Sequence, residues 1–154
     1  LILGKALSGG MYPVSAVLAN DDIMLTIAPG EHGSTYGGSP MAASVAIASL
    51  SVVRDEQLTR NAFEMGELFR NEIAKINNPM LLKVRGKGLL NAVVTRPMEH
   101  KTAWDICLAL KENGLLAKPT HGDIIRFTPP LIITKEQMMD SIAIIRKTLD
   151  AFGK

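Results

Sequence analysis

The fold is decided by the first ten residues, Leu1-Ile2-Leu3-Gly4-Lys5-Ala6-Leu7-Ser8-Gly9-Gly10. An apolar run ended by glycine predicts a buried strand that runs out into a loop. Lys5 then lies at the strand end, where a flexible amine can face an apolar site. Lysine forms Schiff bases with carbonyl compounds only when its amine is neutral, so such a site must favour the free amine. The alternative is an ordinary surface lysine at a strand end.

The composition restricts the class of protein. The chain has 154 residues, which suits one domain or parts of two, and its hydrophobic content of 47% is enough for a core. A net charge of +2 is too small to indicate nucleic acid or a membrane surface as a partner. Cys107 is the only cysteine, which excludes an internal disulfide. We also find no metal-ligand spacing and no apolar run near the ~20 residues of a membrane span.

A glycine-rich loop over 31–38 precedes a predicted helix that begins at Ser39-Pro40. The run 41–50 is apolar on nearly every face, which predicts a helix buried on all sides. Ser34 and Thr35 present hydroxyls near the helix N-terminus, where free N–H groups and the helix dipole favour a phosphate. The alternative is an ordinary turn whose hydroxyls cap the helix.

The second half of the chain alternates between predicted helices and strands. A stripe through Leu58, Phe69 and Ile73 predicts an amphipathic helix over 56–76, and the break at 77–79 marks a boundary. The remaining elements are predicted as strands over 81–84, 89–95, 115–118 and 124–127, a helix over 102–113 and a final helix that Thr134 and Gln137 open as a capping box. This alternation is typical of a small α/β domain with a sheet covered by helices.

Three details of that half are also predicted. Gly86-Lys87-Gly88 is interpreted as a structural turn whose glycines supply positive φ. In the 102–113 helix, Trp104, Cys107 and Leu108 are expected to face inward. Pro97 is expected to end the second strand and His100 to lie on the surface.

Arg126 lies between Ile125 and Phe127, directly before two prolines. Its apolar neighbours predict a buried guanidinium, and a buried arginine needs an anionic partner. A guanidinium matches a carboxylate with two parallel hydrogen bonds, so a substrate carboxylate is one candidate partner. A structural salt bridge with a carboxylate of this chain is the other.

Four stretches together resemble the class III pyridoxal-phosphate aminotransferases. They are Gly4-Lys5 with Gly9-Gly10, Gly33-Ser34-Thr35-Tyr36-Gly37-Gly38-Ser39-Pro40, Val84-Arg85-Gly86-Lys87-Gly88-Leu89-Leu90 and Lys118-Pro119-Thr120-His121-Gly122-Asp123-Ile124-Ile125-Arg126-Phe127-Thr128-Pro129-Pro130. They occur in the family's order, and the last is most similar to the family's ornithine-using members. The resemblance extends from Leu1 to about Phe152.

The resemblance implies an α/β chain of fold type I, the fold of pyridoxal-phosphate-dependent transferases. It identifies residues 1–78 as the C-terminal part of the large cofactor-binding domain with a linking helix, and residues 79–154 as the small C-terminal domain. Because the chain opens inside an apparent strand, we expect it to be roughly the C-terminal third of an intact enzyme.

The resemblance also implies the site residues. Lys5 would be the catalytic lysine that holds pyridoxal 5'-phosphate covalently, and Ser34 and Thr35 would bind the cofactor phosphate across a dimer interface. Arg126 would bind the substrate carboxylate. The expected assembly is a homodimer with shared active sites, without nucleic acid, membrane or metal.

The implied reaction moves the δ-amine of ornithine to a 2-oxo acid. Acetylornithine or 4-aminobutyrate as amino donor, or a non-catalytic dimerising piece, are the alternatives. The fragment by itself is expected to be inactive. The expected compartment of the intact enzyme is the mitochondrial matrix or the cytoplasm, with its targeting region lying upstream of this chain.

Overall fold

The computed structural model describes residues 1–96 and 102–152. They form two compact units, Leu1–Gln57 and Leu58–Lys154. This division falls before the predicted domain boundary at residue 78, because the helix that follows Gln57 packs with the second unit. The domain assignment concerns the whole protein and stays a prediction. Pro97 and His100, about which we made predictions, lie outside the described residues.

The first unit contains β1 (Ile2–Leu3), β2 (Ala16–Val17), α1 (Asp21–Met24) and α2 (Pro40–Asp55). β1 pairs antiparallel with β2. α2 begins where the sequence predicts, with the Ser39 hydroxyl accepting a hydrogen bond from the Ala42 amide at 3.5 Å and Pro40 in the first helical position. The loop before α2 is therefore tied to the helix by its own last residue.

The predicted burial of the first unit is wrong for this chain. In α2 only Ala42 and Ala46 are buried, whereas Ile47 is 65% exposed. In β1, Ile2 is 83% exposed. An apolar sequence predicts that a surface can be buried, but burial also needs a partner. Within this unit the two short strands and two helices do not cover one another's outer faces.

Among the described residues, the second unit contains four strands and three helices. They are α3 (Leu58–Ala74), β3 (Leu81–Lys87), β4 (Leu90–Thr95), α4 (Ala103–Glu112), β5 (Lys118–Thr120), β6 (Ile124–Phe127) and α5 (Lys135–Phe152). The strands form one antiparallel sheet in the order β3-β4-β6-β5. α3 and α4 pack against this sheet, and both also contact α5. The predicted sheet covered by helices is confirmed.

The core of this unit lies between the helices and one face of the sheet. The predicted stripe of α3 is buried at Phe69 and Ile73, and that of α5 is buried at Ile142 and Ile145. The capping box that opens α5 is also present. The Thr134 amide donates to Gln137 Oε1 at 3.0 Å, and the Gln137 amide donates to Thr134 Oγ1 at 3.2 Å.

The predicted orientation of α4 is confirmed at Cys107 but wrong at Trp104 and Leu108. Ala103, Ile106 and Leu110 are buried together with Cys107, whereas Trp104 is 57% exposed. Leu108, also expected to face inward, is 43% exposed. The buried set follows the spacing of three and four along the helix from Ala103.

The turn between β3 and β4 is tighter than predicted, because β3 continues to Lys87. Gly86 and Gly88 have φ values of 156° and 54°, so the predicted positive φ is confirmed. Arg70 of α3 donates to the Gly88 carbonyl oxygen at 3.1 Å and to Asn91 Oδ1 at 2.6 Å. The turn is thereby fixed to α3, and β4 with it.

Candidate active site

Lys5 is separated from β1 by Gly4 alone and begins a run of turns. Its φ is 55°, a left-handed conformation that costs a residue other than glycine about 1–3 kcal/mol. The turn after it is closed by the Leu7 amide, which donates to the Gly4 carbonyl at 3.1 Å. Such strain persists where surrounding structure holds the residue, and it is concentrated at functional sites.

The residues after Lys5 hold this turn in place. Gly9 and Gly10 have φ values of 65° and 84°, which explains why two glycines occur here. Ser8 is buried, and its hydroxyl accepts from the Tyr12 amide at 3.2 Å and donates to the Tyr12 carbonyl. Sequence reasoning missed Ser8, because its partner is identified only by the turn geometry.

A cleft of about 970 Å³ in the first unit is lined by both Lys5 and Ser34. Tyr36 and Gly38 of the same loop also line it. The Gly37 amide donates to the Ser34 carbonyl at 3.0 Å, which closes the loop into a turn before α2. The structure therefore brings together the predicted lysine and one of the two predicted hydroxyls.

Thr35 is exposed and does not line this cleft. It lies in the turn between Ser34 and α2. The sequence predicts the same role for these two neighbouring hydroxyls, but only Ser34 lines the cleft.

Arg126 belongs to β6 in the second unit, and its predicted burial is wrong for this chain. The strand alternates, so Ile125 and Phe127 enter the core while Arg126 is exposed on the opposite face. Within the part of the chain that the structure describes, its guanidinium has no hydrogen bond or salt bridge. The structural salt bridge weighed as an alternative is therefore not present among these residues.

The exposed face around Arg126 is basic. Its five cations are Lys83, Arg85, Lys87, Lys118 and Arg126, and the four strands contain no aspartate or glutamate. Lys118 lies directly opposite Arg126 in the pairing of β5 with β6. Sequence reasoning missed this pair, because its members are eight positions apart in the chain and only the sheet register brings them together.

Comparisons with known proteins identify the family of the chain. The family model described as "Aminotransferase class-III" matches residues 1–149. The chain belongs to the class III aminotransferases. Members of this family depend on pyridoxal phosphate, and the predicted α/β fold of such enzymes is confirmed.

Individual relatives carry more specific names. The chain is 64% identical over 149 residues to the mitochondrial ornithine aminotransferase of Drosophila melanogaster, covering 97% of this chain and 34% of the relative. It is 57% identical to the rat mitochondrial ornithine aminotransferase, with 99% and 35% covered. A crystal structure of acetylornithine aminotransferase from Elizabethkingia anophelis is similar with a TM-score of 0.92 at 60% identity, with 98% and 40% covered. The chain thus spans about a third of the curated relatives it matches.

The residues of the first unit fit pyridoxal phosphate. The cofactor needs an amine for its carbonyl carbon and donors for its phosphate, and Lys5 and the Ser34 hydroxyl line one cleft. Its volume is at the upper end of the roughly 300–1,000 Å³ usual for cofactor sites. The N-terminus of α2, a 16-residue helix, follows the hydroxyl loop directly and favours an anion there.

Within residues 1–96 and 102–152, no group of three or more His, Cys, Asp or Glu side chains is arranged to hold a metal ion. None of the helices in those ranges is both long and apolar enough to cross a membrane.

Proposed function

We propose that the whole protein containing this chain is an ornithine aminotransferase. It would transfer the δ-amine of ornithine to 2-oxoglutarate and so form glutamate 5-semialdehyde and glutamate. The observation that carries the proposal is the identity of 64% and 57% with two curated ornithine aminotransferases over nearly all of this chain. Substrates of both half-reactions carry an α-carboxylate.

Lys5 is assigned the central role in the first unit. Its Nζ would hold the cofactor at the carbonyl carbon, and as a free amine it would accept and return a proton at the substrate carbon. Pyridoxal phosphate, when bound, supplies the electron sink for this chemistry. The left-handed backbone at Lys5 and the turn held by Ser8 support the assignment, because they fix the point from which the amine extends.

Ser34 and Thr35 are assigned to the cofactor phosphate. Ser34 lines the same cleft as Lys5. Thr35 does not, which supports a role in the site of a second subunit within a homodimer. Both hydroxyls precede α2, whose free amides favour an anion.

Arg126 is assigned to the substrate carboxylate in the second unit. An exposed guanidinium without a carboxylate partner among the described residues is available to a ligand, and its planar fork suits a carboxylate. The mitochondrial relatives from fly and rat favour the mitochondrial matrix over the cytoplasm as the compartment.

The test uses the full-length protein. We expect turnover of ornithine with 2-oxoglutarate, and we expect Lys5→Ala to abolish it. Borohydride treatment followed by peptide mapping should find the cofactor fixed on Lys5. Lys87→Ala is the matched control and should keep both activity and label. A label on Lys87 or Lys118 in place of Lys5 would contradict the assignment.

Acetylornithine aminotransferase is the second candidate, because the structure from Elizabethkingia anophelis bears that name at 60% identity. The two activities differ in the group on the α-nitrogen of the donor. Comparing kcat/KM for ornithine, acetylornithine and 4-aminobutyrate decides between them. A preference for acetylornithine would replace our proposal with this second candidate.

A further inference from the structure

Two cations face each other on the exposed side of the sheet. Lys118 of β5 and Arg126 of β6 are directly opposite in the antiparallel register, which places their Cβ atoms about 4.5–5.5 Å apart. Like charges in this position repel each other and destabilise the strand pair. Neither side chain has an anionic partner among the described residues. The pair therefore lacks the counter-charge that would relieve the repulsion.

We propose that Lys118 is a second cation for the substrate carboxylate and acts together with Arg126. The inference rests on the proposed function, which supplies α-carboxylate substrates. A carboxylate has about four acceptor positions, so a bidentate guanidinium leaves room for an ammonium. The mobile lysine side chain can adjust to the anion that the planar arginine fixes.

A simpler role for Lys118 must be separated from this one. β5 is an edge strand, and an edge lysine discourages pairing with other chains. That role predicts increased aggregation after substitution but no change in carboxylate affinity. It also makes no distinction between substrates with and without a carboxylate.

The experiment measures the KM for ornithine in the full-length holoenzyme. Wild type is compared with Lys118→Gln, Lys118→Arg and the control Lys83→Gln. Lys83 lies on the same face, in the opposite edge strand, and its strand does not pair with β6. We expect Lys118→Gln to raise the KM for ornithine about fivefold, the upper end for an exposed ion pair. Lys118→Arg should restore it, and Lys83→Gln should leave it unchanged. For 1,4-diaminobutane, which lacks the carboxylate, all four proteins should have the same KM.

Binding of pentanoate, compared with neutral pentanamide, separates this inference from the proposed function. If Lys118→Gln weakens pentanoate alone while wild type fails to turn over ornithine, the proposed function is wrong and the cation pair stands. If ornithine is turned over normally and pentanoate binds equally to wild type and Lys118→Gln, the pair is wrong. An equal KM increase in Lys118→Gln and Lys83→Gln would also overturn it, because general surface charge would then explain the effect.

Discussion

Gly66 lies inside α3, where glycine is an unfavourable helix residue, and the structure explains why it is there. A Cβ added at this position would lie 1.9 Å from the Gly88 carbonyl oxygen and 2.5 Å from the Gly88 carbonyl carbon. Both neighbours are backbone atoms of the turn between β3 and β4, so they cannot rotate away as a side chain would. We therefore predict that Gly66→Ala destabilises the protein.

The magnitude follows from opposing contributions. On an exposed helix, Gly→Ala would stabilise by about 0.8–1.0 kcal/mol. Here the helix and the turn must separate by more than an ångström, and overpacking costs about 1–3 kcal/mol. The separation also disturbs the hydrogen bonds of Arg70 to Gly88 and Asn91, and a buried polar group left unpaired costs about 1–3 kcal/mol. We expect a net loss of about 2–4 kcal/mol, because the packing and hydrogen-bond losses exceed the gain in helix propensity.

Urea unfolding of the full-length protein, with far-UV circular dichroism as the signal, measures this loss. Asn71→Ala is the control, since Asn71 is an exposed residue of the same helix and should change stability by less than about 0.5 kcal/mol. A Gly66→Ala midpoint equal to or above that of Asn71→Ala would refute the close packing of α3 on the turn. A lower midpoint with an unchanged slope supports it.

Three further outcomes are expected in the full-length protein. Thr35→Ala should weaken the binding of the cofactor by about 1.5–3 kcal/mol, as for a lost hydrogen bond to a charged group. A mixed dimer that carries Thr35→Ala in one subunit and Lys5→Ala in the other should keep one intact active site. Damage to both active sites would contradict the sharing of each site between two subunits. Arg126→Lys keeps the charge but loses one hydrogen bond to the carboxylate, worth about 1.5–3 kcal/mol, so kcat/KM should fall roughly tenfold to 150-fold while the cofactor spectrum stays normal. Equal slowing of glutamate and of an amine without the α-carboxylate would exclude the carboxylate role. Burial raises the pKa of the Cys107 thiol to about 11 from its ordinary value of 9.0. The folded state therefore favours the protonated thiol, and the stability that this preference contributes should be complete below pH 9 and lost as the pH rises to 11. In urea titrations at different pH values, Cys107→Ala should remove this part of the pH dependence.

Features encoded by neighbouring residues could be predicted from the sequence. The stripes of α3 and α5 follow from the helical period, and the capping box at Thr134 depends on two residues three positions apart. The start of α2 is predicted in the same way, from Ser39-Pro40. In each case the feature depends on residues that lie within one turn of helix of each other, so the local sequence is enough to predict it.

Features that depend on pairing could not be predicted in this way. The hydrogen bonds of Arg70 with Asn91 join α3 to β4, and the pair of Lys118 and Arg126 exists only in the sheet register. Arg126 was expected to be buried because its neighbours are apolar, yet alternation along a strand puts those neighbours on the opposite face. The apolar sequence of α2 likewise says nothing about which surface covers it.

The exposure of Arg126 makes its role easier to test than burial would have done. Ile125 and Phe127 belong to the core, so a change at either would alter folding and the site together. Arg126 shares their strand but contributes its side chain to the other face, and no described carboxylate would be left unpaired by its replacement. A substitution there should leave the sheet intact, because the ladder of β6 with β4 and β5 uses backbone groups. Lost turnover in a folded Arg126 variant can therefore be attributed to the missing guanidinium at the site.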